Sequence, residues 1–333
     1  MGFMASAAHI VYASDDRFAE ILGVSLVSLY ENNRDMDVLI VYILDSGITE
    51  NNKKRLLSVC RAYKRCDVIF IPAQDICEKL SMHVSADRGS LSQYARLFVS
   101  SALPEDLSRV LYLDCDTIIR RSIKQLWTLD LQGKTVGALM DAFSRSYRHN
   151  LELDKDDVMF NSGVMLIDLE RWKKCGIEDR VLRFIAIKGG NVQQGDQGAL
   201  NAVLSHDAYC FEPRLNCITI FFDFTYKEML VYRKPPAFYS ERSIKQAVMD
   251  PVILHFTTSF LSKRPWMRGC EHPYAAEWRE YKAISPWRDS PLWIDQRNTQ
   301  KYMKLFHRLP RRAAIFVAGV LQAYVRPAIK RIR

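Results

Sequence analysis

Two carboxylates one residue apart close an apolar run: Arg109–Asp116 reads RVLYLDCD, with Val110, Leu111, Tyr112 and Leu113 leading into Asp114 and Asp116. The run has the composition of a buried parallel strand, and the pair falls at its carboxyl end, where open α/β sheets bind ligands. A two-residue period puts both side chains on one face. Two hard anionic oxygen ligands suit a divalent cation, and a cation there can hold a diphosphate. Asp-x-Asp occurs twice more, at Asp35/Asp37 and Asp154/Asp156. Neither follows such a strand, and both are expected to be solvated turn carboxylates.

Other residues leave two readings open. Asn161 sits in the apolar stretch Met159–Leu169 and needs a partner; it either bonds backbone at a bulge beside Gly163 or faces a ligand. Asp196, in QQGDQGALNAVL, is either the N-cap of a helix Gln197–Leu204 or a site residue that Gly195 and Gly198 leave open to close approach. His255 ends the run VILHF as a structural histidine or a ligand; Lys263 and Arg264 follow, two adjacent cations able to neutralise phosphate. Arg96, inside the helical stretch Ser90–Leu103, reads from composition as a surface arginine.

The elements that position these residues alternate. Strands are expected at His9–Ser14, Asp37–Asp45, Asp67–Pro72, Thr135–Asp141, Met159–Leu169 and Val252–Phe256, with irregular strand over Asp207–Phe224. Helices are expected at Ala19–Tyr30, from Thr49 to Lys64, and at Glu178–Lys188; the stretch from Ile76 to Leu91 reads as a polar loop. Short strand–helix–strand connections mean βαβ units and a parallel sheet. Right-handed crossovers then gather the strand carboxyl ends, so Asp15 and the Asp114/Asp116 pair are expected in one crevice.

The chain has 333 residues, 48% hydrophobic and 26% charged, with a formal charge of +9. Ten basic and no acidic residues lie from Gln296 onward, leaving 37 basic against 38 acidic in the rest. That is a near-neutral globular body with a cationic tail, not a nucleic-acid binder. Eight cysteines without Cys-x-x-Cys spacing argue against zinc and for reduced thiols. No signal peptide is expected. Within the tail, Ala313–Val325 is apolar over 13 residues, too short to span a bilayer, and is bracketed by basic residues. It reads as a helix drawn to an anionic membrane surface, or as a C-terminal helix packed on the body.

In chain order, HIVYASDD, YARL at Tyr94–Leu97, LYLDCD, the strand ending at Asp141, FNSGVMLIDLERW from Phe160, GDQGALN from Gly195 and HF…KRPW from His255 resemble glycosyltransferase family 8, of the bacterial lipopolysaccharide galactosyl/glucosyltransferase type related to glycogenin. The resemblance spans about residues 9–266. It implies a GT-A fold, an α/β fold with a mostly parallel central sheet flanked by helices, and a UDP-hexose donor bound with Mn²⁺, Mg²⁺ being possible. Carried over by position, Asp114, Asp116 and His255 are metal ligands. Ala13 and Asp15 hold uridine, and Arg96 lies near nucleotide and donor sugar. Asp141, Asn161, Asp196 and Gln197 surround the sugar, and Lys263 or Arg264 meets the diphosphate. Two departures stand out: Arg17 replaces a usual Asn, and the loop after His255 is stretched, with Thr258 where Gly is expected.

The implied reaction is retaining transfer of galactose or glucose to a saccharide or glycolipid acceptor. The catalytic domain is expected over residues 1–295 and a membrane-associating tail over 296–333, on the cytoplasmic face of the plasma membrane. Rival readings are a sugar nucleotidyltransferase, though no Gly-rich basic loop follows the first strand, and a membrane-tethered, non-catalytic saccharide-binding module.

Overall fold

In the computed structural model, the structure describes residues 7–64, 66–73, 92–295 and 299–332. Among the described residues the strands are β1 (Ala7–Ser14), β2 (Val38–Asp45), β3 (Cys66–Pro72), β4 (Arg109–Leu113), β5 (Thr117–Ile119), β6 (Val136–Met140), β7 (Phe160–Asp168), β8 (Ala208–Cys210), β9 (Cys217–Ile218) and β10 (Ile253–His255). Seven of them form one sheet in the order β3-β2-β1-β4-β7-β6-β8, and β5, β10 and β9 form a small second sheet. The helices that position the site and the tail are α1 (Ala19–Glu31), α2 (Glu50–Tyr63), α3 (Ile177–Ile187), α4 (Gly195–Leu204), α5 (Tyr226–Arg233), α6 (Thr299–Arg308) and α7 (Arg311–Val320).

Strands β1, β2, β3 and β4 run parallel, as continuous apolar runs joined by helices require. The strand order reverses between β1 and β4, so a crevice opens at their carboxyl ends. The Cys115 thiol donates to the Ala13 carbonyl across it, at 3.2 Å. Asp15 and the Asp114/Asp116 pair therefore do flank one crevice.

One expectation fails usefully. Strand β7 runs antiparallel to both β4 and β6, so its amino end, not its carboxyl end, reaches the crevice. The pairing of β6 with β7 jumps from Ala138↔Met165 to Leu139↔Asn161, leaving Ser162, Gly163 and Val164 as a bulge turned toward β4. Residues 208–223 are not one irregular strand but short strands, a 3₁₀ turn and a four-residue helix, Ile220–Asp223. The stretch before β4 is a 3₁₀ helix, Ser92–Phe98, ending in a short α-helix, Val99–Ala102. The polar loop expected from Ile76 to Leu91 lies outside the described residues.

The tail is longer and more tightly seated than its apolar run suggests. Helix α7 continues through a π-helical turn, Leu321–Val325, into a last helix, Arg326–Ile332. Arg311–Arg331 is thus a 21-residue helix that by length and composition could cross a membrane, which corrects the 13-residue limit. Its inner face is docked. Phe306, Ala314 and Ile315 join the core that also holds Phe224 and Tyr232, and Gly319 packs against Val231, whose carbonyl oxygen would lie 2.5 Å from an added Cβ. Pro327 has no N–H to give the Ala323 carbonyl, and the Ser144 hydroxyl donates to that oxygen instead, at 2.6 Å. Asn150 Nδ2 donates to the Pro327 carbonyl at 2.8 Å, and Arg311 pairs with Glu228 at 2.7 Å. The outer face is apolar and exposed, with Phe316 at 59% and Tyr324 at 51%.

Candidate active site

Strand β4 stops at Leu113, so Asp114 and Asp116 lie in the tight turn into β5 rather than on strand pleats. The Asp114 amide still donates to the Gly163 carbonyl at 2.7 Å. Thr117 Oγ1 closes the turn onto the Asp114 carbonyl at 2.8 Å. Strand β10, antiparallel to β5, delivers His255 opposite this turn. Ligand atoms of Asp114, Asp116 and His255 fall within 4.8 Å of one another. His255 Nε2 is 3.2 Å from Asp116 Oδ1 and 3.6 Å from Asp114 Oδ2. The other two Asp-x-Asp pairs, Asp35/Asp37 and Asp154/Asp156, are exposed.

A chain of hydrogen bonds sets the imidazole tautomer. The Gly163 amide donates to Asn161 Oδ1 at 3.1 Å, so that oxygen is an acceptor. Asn216 Nδ2 donates to the same oxygen at 2.9 Å, turning Asn216 Oδ1 toward His255 Nδ1 at 3.1 Å. Nδ1 therefore carries a proton, and Nε2 faces two carboxylates. A proton on Nε2 or a cation among the three groups relieves that arrangement. Two carboxylates and an oriented imidazole, with the far nitrogen tied down, are what a divalent cation requires. Burial pushes the Asp116 carboxyl up, but His255, Arg264 and Arg96 outweigh it and hold it below the usual carboxylate range.

Gly163 makes the cluster possible. An added Cβ would overlap the His255 ring and lie 2.7 Å from Asp114 Oδ2. Gly163→Ala is therefore expected to weaken metal affinity at least tenfold with little change in melting temperature, because the bulge can shift where the strand core cannot. Isothermal titration with Mn²⁺ alongside a thermal melt checks this.

Arg96 is no surface residue. It is 6% exposed and sits in the wall of the crevice. Its guanidinium meets Asp114 Oδ1 at 2.7 Å and Asp196 Oδ2 at 3.1 Å, donates to the Ser162 carbonyl at 2.9 Å, and stacks 4.7 Å from the centre of the Tyr112 ring. Burial lowers its pKa, but Asp114, Tyr112 and Asp196 together raise it further, so the charge is secure. Asp196 is not the helix cap either. Helix α4 starts at Gly195 after Gln194 in the left-handed region, and Asp196 lies one residue inside it. Gly198 serves packing rather than ligand approach, since a Cβ there would collide with the Gln193 carbonyl.

Of the two alternatives for Asn161, the backbone one holds. It bonds backbone at the bulge, and its Nδ2 also donates to Gln197 Oε1 at 3.3 Å. Gln197 Nε2 in turn donates to Asp141 Oδ2 at 3.3 Å. Asp141 Oδ1 is buried without a hydrogen-bond partner among the described residues. Asp15 caps the 3₁₀ turn after β1, accepting from the Phe18 amide at 3.1 Å, and Ala13 lines the same strand end. Of the two cations after His255, Arg264 reaches the cluster, 3.3 Å from Asp116 Oδ2, while Lys263 turns to the Arg268 carbonyl at 3.3 Å. Thr258, where glycine was expected, holds Arg264 by accepting from its guanidinium at 2.6 Å. Asn216 was missed as a site residue. The reasoning applied to Asn161, a polar amide in an apolar stretch, would have found it.

The family model described as glycosyl transferase family 8 matches residues 9–270. The chain belongs to glycosyl transferase family 8. It is 30% identical to general stress protein A of Bacillus subtilis over 285 residues, 84% of this chain and 94% of that protein. It is 22% identical to a lipopolysaccharide 1,2-glucosyltransferase of Escherichia coli, over 84% of this chain and 79% of that one. The fold resembles that of the galactosyltransferase LgtC, solved with donor and acceptor sugar analogues, at a TM-score of 0.71 and 24% identity, over 84% of this chain and 96% of that chain. The fold is therefore GT-A, and the family member is a glycosyl-transferring enzyme.

Proposed function

We propose that the protein is a retaining hexosyltransferase that uses a UDP-sugar and a divalent metal, acting on a lipid-linked saccharide at the cytoplasmic face of a membrane. The single observation that carries the donor reading is the Asp114/Asp116/His255 cluster, with Nε2 turned inward by the Asn216 contact to Nδ1. A divalent cation held by these residues, Mn²⁺ by the mixed oxygen and nitrogen donors, would neutralise a departing diphosphate.

The chain's own residues do the rest. Ala13 and Asp15 flank the uridine end of the crevice. Arg264 adds a fixed positive charge beside Asp116 for the diphosphate, with Lys263 as the outer cation. Asp141 Oδ1, buried without a protein partner among the described residues, is available to a donor-sugar hydroxyl. Gln197 and Asn161 hold that carboxylate in line. Asp196 is ion-paired to Arg96, which makes it a poor nucleophile. This favours attack by the acceptor hydroxyl on the face the diphosphate leaves. The sugar–phosphate bond then breaks as the bond to the acceptor oxygen forms, and the acceptor proton passes to the departing phosphate oxygen. Mn²⁺-dependent release of UDP from UDP-galactose or UDP-glucose, slow without acceptor, tests this. Its absence across a panel of UDP-sugars, or nucleoside triphosphate turnover instead, would end the reading.

The tail supplies the membrane reading. Its polar anchors, Ser144, Asn150 and Glu228, fix the inner face to the body, so the helix lies in the interface rather than across the bilayer. Replacing Phe316, Val317 and Tyr324 together by Ser is expected to lower affinity for phosphatidylglycerol vesicles at least tenfold without lowering the melting temperature. Unchanged co-sedimentation with vesicles would show that the exposed face does not bind lipid. Tail deletion is a poorer test, because it removes core residues Phe306, Ala314 and Ile315.

A further inference from the structure

A cavity of about 490 Å³ lies between the start of α4 and the tail helix. Its inner side is polar, lined by Gln93, Gln193, Gln194 and Asp196. Asp196 is separated from the metal-binding carboxylates by one guanidinium, that of Arg96. The outer side belongs to the tail: Leu321, Val325 and Ile329 form an apolar wall, and Arg326 and Lys330 place two cations on it. Leu321, Val325 and Ile329 are also exposed, so the wall is continuous with the apolar face that includes Phe316 and Tyr324. A second cavity of about 540 Å³ shares Gln193 and Lys330 and adds Arg331 and Lys188, the latter paired with Glu152. The first cavity therefore brings together carboxamides and the Asp196 carboxylate, two cations and a hydrocarbon wall.

We infer that this cavity is the acceptor site, and that the tail helix builds half of it for a lipid-linked phosphosaccharide. The saccharide lies against Gln194 and Asp196, the phosphate meets Arg326 and Lys330, and the lipid leaves along Leu321, Val325 and Ile329. A neutral glycan would have no use for the two cations, and a soluble phosphosugar none for the apolar wall. The tail thus selects the acceptor as well as touching the membrane. This rests on the transferase reading above, since it assigns that reaction's second substrate.

The probe is decyl phosphate, titrated below its micelle concentration into the full-length protein, once with EDTA present and once without EDTA for competition by UDP and Mn²⁺. Saturable binding is expected, at least tenfold tighter than for uncharged decyl maltoside, and UDP with Mn²⁺ should not displace it. The Arg326→Glu/Lys330→Glu variant should weaken binding at least tenfold. Val325→Asp, which leaves both cations in place, should weaken it by a similar factor. Absence of saturable binding, displacement by UDP, or full binding by either variant would overturn the site. Loss of binding on changing Phe316, Val317 and Tyr324 instead would assign the probe to the outer face and overturn it equally. Mn²⁺-dependent binding of UDP is measured in parallel: if UDP binds and decyl phosphate does not, the acceptor site alone falls, whereas failure of UDP to bind removes the donor reading beneath it.

Discussion

Asp116→Asn is expected to lower metal-dependent sugar transfer about a thousandfold, equivalent to about 4 kcal/mol of transition-state stabilisation. Asp116 offers one oxygen 3.2 Å from His255 Nε2 and the other 3.3 Å from Arg264. An amide keeps the shape but removes the charge that pairs the metal and the arginine. The loss should appear in Mn²⁺ affinity and in kcat together, with the fold intact, since Asp116 lies in a turn. Steady-state kinetics over a Mn²⁺ titration would show it. If Asp116→Asn matched the parent at saturating Mn²⁺, the residue would not be a metal ligand.

Arg96→Met is expected to destabilise the protein by about 3–5 kcal/mol, the usual cost of stripping one partner from a buried ion pair. Two carboxylates, Asp114 and Asp196, lose their shared counter-charge at once. Arg96→Lys should rescue little of this. A single ammonium cannot reach Asp114, Asp196 and the Ser162 carbonyl in the planar spread that the guanidinium uses. Chemical denaturation gives the stability. A variant with parental stability would mean that water already screens the pair, contrary to its burial.

The readable part of this site was the part that local chemistry marks. Asp114 and Asp116 end an apolar strand, His255 ends another, and Asp141 ends a third; such patterns need only neighbours in the chain to be recognised. The resemblance added the remaining site positions. Arg96 was not readable from composition because nothing near it in the chain explains its burial. Its partners lie at residues 114, 162 and 196. The local reading of Asp196 stayed open for the same reason: a carboxylate at the start of a helix has the same local signature whether it bonds the backbone or a distant guanidinium.

Chain order alone specified the alternating α/β architecture, because apolar runs and their connections follow periods of two and 3.6 residues that side chains impose locally. It also marked the cationic, apolar tail. Only the folded chain decided that β7 turns back antiparallel and brings Asn161 and Gly163 to the crevice, that Asn216 sets the His255 tautomer, and that Arg264 rather than Lys263 reaches Asp116. The same holds for the tail, where the Ser144 hydroxyl donates to the carbonyl that Pro327 leaves without its amide partner. Each of these depends on a contact between segments distant in the chain, whose formation is governed by how the whole core packs and not by any residue's own preference.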